Sequence, residues 1–179
     1  MRVIFPEGLP MRYLLILFSL LLTSCLSVPK GVVPVKNFEL DRYLGRWYEI
    51  ARLDHSFERD LDAVTAEYSL REDGGIKVIN SGRNIESGIT QQAEGRAYFV
   101  EEPSVGYLKV SFFGAFYGSY VIFGLDQKDY QYAFVTGNTT NYLWLLSRSS
   151  KMSKDVLEQF KTSAIELGFD LDALILVKH

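Results

Sequence analysis

The sequence predicts an all-β fold: an eight-stranded antiparallel up-and-down barrel with one C-terminal α-helix packed outside it. Short segments that alternate apolar and polar residues follow one another along the chain, with turn residues between them. One segment near the C-terminus has helical periodicity instead. The 179 residues include 11 Tyr and 12 Phe, which favour strands and the walls of apolar pockets.

The N-terminal residues predict an export signal. Met11-Arg12-Tyr13 provides a positive start, and residues 14–22 form an apolar run. This run is shorter than the ~20 residues needed to cross a bilayer, so it fits the apolar part of a secretory signal. Leu22-Thr23-Ser24-Cys25 follows at once and resembles the lipobox of bacterial lipoproteins. An ordinary signal peptide with an incidental cysteine is the alternative, and the sequence leaves open whether Met1 or Met11 is the start.

The lipobox resemblance implies that Cys25 becomes an acylated N-terminus. We therefore predict a signal peptide at 1–24, a lipidated N-terminus with an extended tether at 25–36, and one folded domain at 37–179. Pro29, Gly31 and Pro34 favour the extended tether. Leu26, rather than Asp, follows the cysteine, which by the same resemblance implies sorting to the outer membrane.

Composition limits the possible functions. Cys25 is the single cysteine, which excludes an intramolecular disulfide and a cysteine-rich zinc site. The net charge of −3 gives no indication of a nucleic-acid partner. We find no Ser/His/Asp arrangement, no phosphate-binding glycine loop and no metal-ligand spacing, so we predict no enzyme activity, no cofactor and no metal.

The strands are predicted from alternation and turn signals. They lie at 47–53, 64–70, 76–80, 91–100, 107–113, 119–125, 130–136 and 142–147. The Asp73-Gly74 pair is a hairpin signal between the second and third strands. Consecutive strands joined by short turns are antiparallel neighbours, and closing eight of them removes exposed edges. Such a barrel can hold one small ligand, and a β-sandwich is the alternative arrangement.

One helix and a short final strand complete the prediction. Ser153 is the predicted N-cap, because its hydroxyl can accept from free amides of the first turn. An apolar stripe suited to packing on the barrel follows at Val156, Leu157, Phe160, Ala164, Ile165 and Leu167. Gly168 is predicted to end the helix in a left-handed conformation, and residues 174–177 form the last strand.

Four features together resemble the lipocalin family. Gly45-Arg46-Trp47-Tyr48 opens the first strand and is similar to the family's Gly-x-Trp signature. Asp126, with Tyr130 beyond it, lies between the sixth and seventh strands, and Arg148 ends the eighth, before the helix. The resemblance covers residues 37–179 and is greatest to bacterial outer-membrane lipocalins, relatives of apolipoprotein D. It implies structural roles for Gly45, Trp47, Tyr48, Asp126 and Arg148, with the arginine lying across the indole.

Strand alternation gives candidate ligand-binding residues. If Arg148 points inward, Trp144 and Tyr142 share its face, and similar reasoning applies to the other strands. Gly95 and Ala97 are small and leave room inside. Inward aromatic residues could instead simply fill the barrel. The predicted ligand-binding residues are Tyr68, Asn80, Phe99, Phe112, Tyr120, Tyr142 and Trp144.

Two further features have competing interpretations. His55 lies beside Asp54 at the end of the first strand, and we interpret it as a solvated loop residue rather than a base or metal ligand. Residues 112–118 are densely apolar and aromatic. An exposed tip there would suit a membrane or partner contact, whereas the favoured interpretation is a tightly packed turn.

The resemblance implies a membrane-anchored protein that stores or transports fatty acids, lysophospholipids or phospholipids for cell-envelope maintenance. One alternative is a structural lipoprotein that acts through a partner surface and holds no ligand. A lipid-acting enzyme is the other, although neither His nor Cys lies at a predicted inward position. A homodimer is possible, and the sequence does not decide it.

Overall fold

The computed structural model describes residues 26–179, and these form a closed antiparallel barrel. A short helix, α1 (Leu40–Tyr43), leads directly into β1 (Gly45–Arg52). The remaining barrel strands are β2 (Leu61–Leu70), β3 (Ile76–Asn84), β4 (Thr90–Phe99), β5 (Tyr107–Phe113), β6 (Phe116–Leu125), β7 (Tyr132–Thr136) and β8 (Leu143–Ser147). The helix α2 (Lys154–Glu166) and the short strand β9 (Ile175–Leu176) follow.

Pairing of β1 on both sides closes the sheet. Each strand from β2 to β8 pairs with the next, β8 pairs with β1, and β1 pairs with β2. Trp47 lies opposite Ala66 on β2, and Tyr48 lies opposite Ser147 on β8. The predicted eight-stranded up-and-down barrel is confirmed, and β9 adds to β1 outside the ring.

The alternating strand directions give the barrel two different ends. The connections 53–60, 85–89, 114–115 and 137–142 lie at what we call the open end. The connections 71–75, 100–106 and 126–131 lie at the opposite, closed end, together with α1. This geometry follows because successive antiparallel strands reverse direction at each turn.

The helix α2 packs against the outer face of the barrel, as predicted. Ser153 caps it by accepting a hydrogen bond from the amide of Val156 at 3.3 Å, and Gly168 follows its end with φ of +82°. Phe160 is fully buried and makes an edge contact with Phe134 of β7, with 5.2 Å between ring centroids. No helix within residues 26–179 is long and apolar enough to cross a membrane.

The predicted tether packs on the barrel along most of its length. Val32 is buried in the core between the barrel and α2, and the amide of Val35 donates to the carbonyl of Ile122 at 2.9 Å. At the open end, Ser27 bonds to Ser119 and to Asn138 at 3.0 and 3.1 Å. The prediction of an extended tether outside the core is therefore wrong for residues 27–35, because Val28, Val32 and Val35 pack on the barrel and the backbone finds partners there. Cys25 and the predicted signal peptide lie outside the described residues.

The β5–β6 turn also differs from its favoured interpretation. Phe113 and Phe116 pair across a turn whose Gly114 has φ of +60°, a conformation that favours glycine. Phe113 is 77% exposed and Phe116 is 85% exposed. The favoured interpretation, tight packing of this turn, is wrong, because both phenylalanine side chains beside its tip are exposed.

Candidate ligand-binding site inside the barrel

Trp47 and Arg148 seal the closed end. Trp47 is completely buried, and its indole N–H donates to the carbonyl of Tyr43 at 2.8 Å. The guanidinium carbon of Arg148 lies 3.9 Å from the centre of the indole. Arg148 also donates to the carbonyls of Arg46 and Arg42 at 2.9 and 2.6 Å. This is the arrangement that the family resemblance implies, and it gives both residues a structural role.

The other signature residues divide between this end and the outer surface. Gly45 has φ of +88°, and a side chain there would contact the Arg148 guanidinium. The carboxylate of Asp126 accepts from two backbone amides of the β6–β7 turn at 3.3 and 3.2 Å. Tyr48 faces outward, toward α2 and the C-terminus, with His179 at 5.3 Å from its ring. Gly45 and Asp126 therefore shape the closed end, whereas Tyr48 takes no part in it.

Most of the side chains that strand alternation places inward form one apolar cluster inside the barrel, whereas Leu70, which alternation also places inward, is exposed. Trp144 and Leu146 of β8 belong to it, while Leu143 and Leu145 face α2. From the other strands it contains Ala66, Tyr68, Val78, Ala97, Phe99, Leu108, Val110, Phe112, Tyr120 and Ile122. The room expected at Gly95 is taken by Phe112, since a Cβ on Gly95 would lie 2.8 Å from that ring.

Three tyrosines form a polar layer above the closed end. The hydroxyl of Tyr120 bonds to the hydroxyls of Tyr43 and Tyr68, each at 2.8 Å. Burial raises the pKa of all three phenols, so they remain neutral. Tyr43 lies in turn on Trp47, with 4.7 Å between ring centroids. Tyr43 was not among the predicted site residues, because it precedes the first strand and has no place in strand alternation.

A buried charged cluster lies between these tyrosines and the open end. Arg52 donates to the Glu49 carboxylate at 2.8 Å and to the carbonyl of Glu58 at 2.8 Å. The Glu58 carboxylate accepts from the indole N–H of Trp144 at 3.0 Å. Arg52, Glu49 and Glu58 are each no more than 6% exposed. Alternation from Trp47 places Glu49 inward. A bulge between Glu49 and Ala51 interrupts the alternation, so it does not predict the orientation of Arg52.

The cluster holds two carboxyl groups around one cation. Burial raises the pKa of Glu49, the nearby charge of Glu58 raises it further, and Arg52 lowers it. Burial likewise raises the pKa of Glu58, while the Trp144 hydrogen bond and Arg52 lower it. The pair therefore accepts a proton more readily than exposed carboxylates do.

His55 is not the solvated loop residue that the sequence predicted. It is only 4% exposed, and its ring stacks on Phe57 at 5.2 Å and on Tyr142 at 5.0 Å. Trp144 lies 4.8 Å away. Burial lowers the pKa of His55 to about 4, with a further contribution from Arg52, so the imidazole is neutral near neutral pH. The prediction failed because aromatic residues distant in sequence enclose the ring.

A small cavity opens beside this aromatic stack at the open end. Its volume is about 150 Å³, and its walls are Asp54, His55, Ser56, Phe57, Asn141 and Tyr142. Tyr142 and Trp144, two of the predicted ligand-binding residues, stack on each other with 6.1 Å between ring centroids. The predicted residues thus extend from this mouth at Tyr142, Trp144 and Phe112, through Asn80 and Tyr120, to Tyr68 and Phe99 nearer the closed end.

Three buried polar atoms make no hydrogen bond within the described part of the chain. They are Nε of Arg52, Nε2 of His55 and Oδ1 of Asn80. Arg52 Nε is a donor and Asn80 Oδ1 is an acceptor, so both can bond to a polar group that enters the barrel. No group of three potential metal ligands occurs in residues 26–179. The site therefore suits a largely apolar molecule that carries a polar group.

Comparisons with known proteins agree with this geometry. The family model for "Lipocalin-like domain" matches residues 38–179. The chain is 57% identical to "Outer membrane lipoprotein Blc" of Vibrio cholerae, over 92% of this chain and 96% of the relative. It is 49% identical to the Escherichia coli K12 protein of the same name, over 90% of this chain and 92% of that one.

A solved structure supports the fold alone. Insecticyanin from the tobacco hornworm Manduca sexta is similar with a TM-score of 0.68 and 22% sequence identity. The similarity covers 86% of this chain and 87% of that chain.

Proposed function

Because the chain belongs to the lipocalin family, we propose that it is a lipid-binding protein, anchored in the outer membrane through an acylated Cys25. It stores or transports fatty acids, lysophospholipids or phospholipids for maintenance of the cell envelope. The relatives named Outer membrane lipoprotein Blc support the location and the anchor. The family is one of binding proteins, in agreement with the prediction that the chain is not an enzyme.

The observation that carries this proposal is the composition of the barrel interior. An apolar cluster lines several strands, and two buried polar atoms, Arg52 Nε and Asn80 Oδ1, have no hydrogen-bond partner within residues 26–179. An acyl chain gains ~0.8 kcal/mol for each CH₂ removed from water, so it needs few polar contacts. The cost of association reduces this gain considerably.

The arrangement favours a head group near the open end and an acyl chain directed inward. Arg52 and Trp144 lie near the mouth, where a carboxylate or phosphate oxygen could accept from Arg52 Nε. Phe112 and Phe99 supply apolar surface on the neighbouring strands. In this proposal Tyr68 and Tyr120 end the acyl-chain site, since their hydroxyls already bond to each other.

The two tryptophans allow a direct test in the full-length chain. Trp47 is sealed into the closed end, whereas Trp144 lies near the mouth. The variant Trp47→Phe therefore reports on Trp144 alone, and Trp144→Phe reports on Trp47 alone. Titration with a fatty acid brominated near its carboxyl group should quench Trp144 strongly and leave Trp47 nearly unchanged.

Mass spectrometry supplies the second part of the test. We expect a fatty acid or lysophospholipid to accompany the purified protein, and an acyl modification on the N-terminal Cys25 of the mature chain. Lipid binding would be contradicted if the purified protein carried no lipid and the brominated acid quenched the fluorescence of neither tryptophan. It would favour the alternative of a structural lipoprotein that acts through its surface.

A further inference from the structure

We infer that the open end of the barrel docks on a lipid bilayer and that its apolar rim enters the bilayer. The rim consists of Phe57, Ile85, Ile89, Phe113 and Phe116. This inference rests on the acyl anchor of the proposed function and goes beyond it, because an anchor alone leaves the orientation of the barrel undefined.

Exposed apolar side chains concentrate at the open end. Ten large hydrophobic residues are exposed within residues 26–179, and the five rim residues are half of them. They include all three exposed phenylalanines, and they lie in or directly beside three separate connections. Scattered exposed hydrophobic residues need no explanation, but their concentration at one end indicates a surface that is covered in use.

The β5–β6 hairpin has the polarity expected of a segment that enters a membrane. Its tip, from Phe113 to Phe116, contains Gly114 and Ala115 and no charge. Behind the tip, Tyr117 accepts a hydrogen bond from Arg96 at 2.8 Å, and the Lys109 ammonium lies 5.2 Å from its ring.

This order matches the layers of a bilayer surface. Apolar residues reach toward the acyl chains, whereas Tyr, Arg and Lys side chains prefer the level of the lipid head groups. Arg96 is held there by a second bond, to the carbonyl of Gly114 at 2.7 Å, so its charge lies close behind the apolar tip. A purely apolar protein partner would not require cations in this layer.

The start of the described chain lies at the same end. Ser27 donates its hydroxyl to the carbonyl of Asn138, which belongs to the open-end connection 137–142, and its amide bonds to Ser119 near the start of β6. Cys25 precedes Ser27 by two residues, which span at most ~7 Å. Acyl chains on Cys25 would therefore enter the bilayer beside the rim. This short reach selects a membrane over a protein as the occupant.

The docked orientation would give lipid a dry route to the site. Phe57 of the rim stacks on His55, and His55 stacks on Tyr142 and lies beside Trp144. A lipid leaving the bilayer at the rim would meet this aromatic stack before the apolar interior. Its acyl chain could thus pass between bilayer and barrel without entering water. Exposure to water would cost free energy for each CH₂ of the chain.

A fluorescent label can measure the orientation in the mature, acylated protein. Ala115→Cys places a thiol at the rim, and Glu72→Cys places one on the exposed closed end. The acylated Cys25 has no free thiol, so the nitrobenzoxadiazole label marks the introduced residue alone. In vesicles of brominated phosphatidylcholine, the label at 115 should shift to the blue and be quenched. The label at 72 should emit as it does in water.

Matched variants test the rim itself. In the Ala115→Cys protein, Phe113→Ser with Phe116→Ser should abolish the quenching, whereas Leu70→Ser with Val100→Ser, at the closed end, should preserve it. Urea unfolding checks that both pairs of substitutions leave the fold intact.

The outcomes separate the two proposals. An acylated protein whose label at 115 is as unquenched as that at 72 would overturn the docked orientation and leave the anchor standing. A protein that takes up two labels has a free Cys25, which would overturn the anchor and this inference together. Quenching at 115 that depends on Phe113 and Phe116 supports the docked orientation.

Discussion

Trp144 donates its indole N–H to the carboxylate of Glu58 at 3.0 Å, and this bond connects β8 to the β1–β2 connection across the mouth of the barrel. Glu58 is 6% exposed, so its carboxylate depends on protein donors rather than on bulk water. Arg52 holds the backbone of the same residue. The connection 53–60 is therefore fixed to the barrel interior on the side where His55 and Phe57 lie.

Loss of this bond should destabilise the protein measurably. We expect Trp144→Phe to lower the free energy of unfolding by ~1–3 kcal/mol, because it leaves a buried carboxylate without its donor. Urea unfolding at neutral pH measures the change. Tyr142→Phe is the control, since it keeps the stacked ring and should change the stability by no more than ~0.5 kcal/mol. Equal losses in the two variants would assign the effect to packing rather than to the hydrogen bond.

The two buried carboxyl groups should make stability fall toward alkaline pH. Glu49 has a folded pKa above its ordinary value of 4.5, so the folded protein keeps a proton that the unfolded chain releases. The associated stability is present below pH 4.5 and is lost as pH rises through the raised pKa. Glu49→Gln should abolish this decline, and Glu58→Gln should reduce it because it removes one cause of the raised pKa.

Unfolding by urea over a series of pH values measures both effects. Glu58→Gln retains a carbonyl oxygen that can accept from the Trp144 indole. The hydrogen bond is therefore kept, and only the ionisable group is removed. A decline as steep in Glu49→Gln as in the wild type would show that another group carries the titration.

His55 should give the opposite dependence at acidic pH. Its folded pKa of about 4 lies below the ordinary 6.5, so the unfolded chain binds a proton that the folded protein excludes. The stability that results is present above pH 6.5 and is lost as pH falls through 4. The variant His55→Phe keeps a ring between Phe57 and Tyr142 and removes the titration.

The comparison is the unfolding free energy of wild type and His55→Phe across this range. Between pH 6.5 and 4, the wild type should lose up to about 3 kcal/mol relative to the variant. Parallel stability curves would mean that the imidazole is hydrated in the folded protein, despite its burial among aromatic rings.

Strand alternation predicted most of the barrel interior for a physical reason. A strand with one face in the core must alternate, so Tyr68, Asn80, Phe99 and Tyr120 could be assigned to the inner face without knowledge of their neighbours. The pairing of Trp47 with Arg148 came from the family resemblance rather than from alternation. Neither alternation nor the resemblance could reveal that Phe112 occupies the space left by Gly95. This contact depends on how two strands pack together, and the sequence of one strand does not determine it.

The parts that the sequence did not predict depend on irregular backbone and on distant contacts. A bulge between Glu49 and Ala51 interrupts the period in β1 and places Arg52 against Glu49. The connection that contains His55 has no regular alternation of side chains, so burial there could not be predicted. Residues 27–35 lie on the barrel through partners such as Ile122, which are far away in sequence, and proline and glycine content could not reveal them.

Substitution at the closed end should separate stability from ligand binding. Arg148→Ala removes the cation from the Trp47 indole and leaves the carbonyls of Arg42 and Arg46 without their donor. We expect a loss of ~1–3 kcal/mol in unfolding free energy, and only partial recovery in Arg148→Lys, because an ammonium cannot reach both carbonyls and cover the ring. Brominated fatty acid should still quench Trp144 in both variants, since the mouth lies at the other end of the barrel. If a folded Arg148→Ala protein failed to bind the acid, the closed end would be part of the ligand site, and the acyl chain would extend to the layer beneath Tyr43.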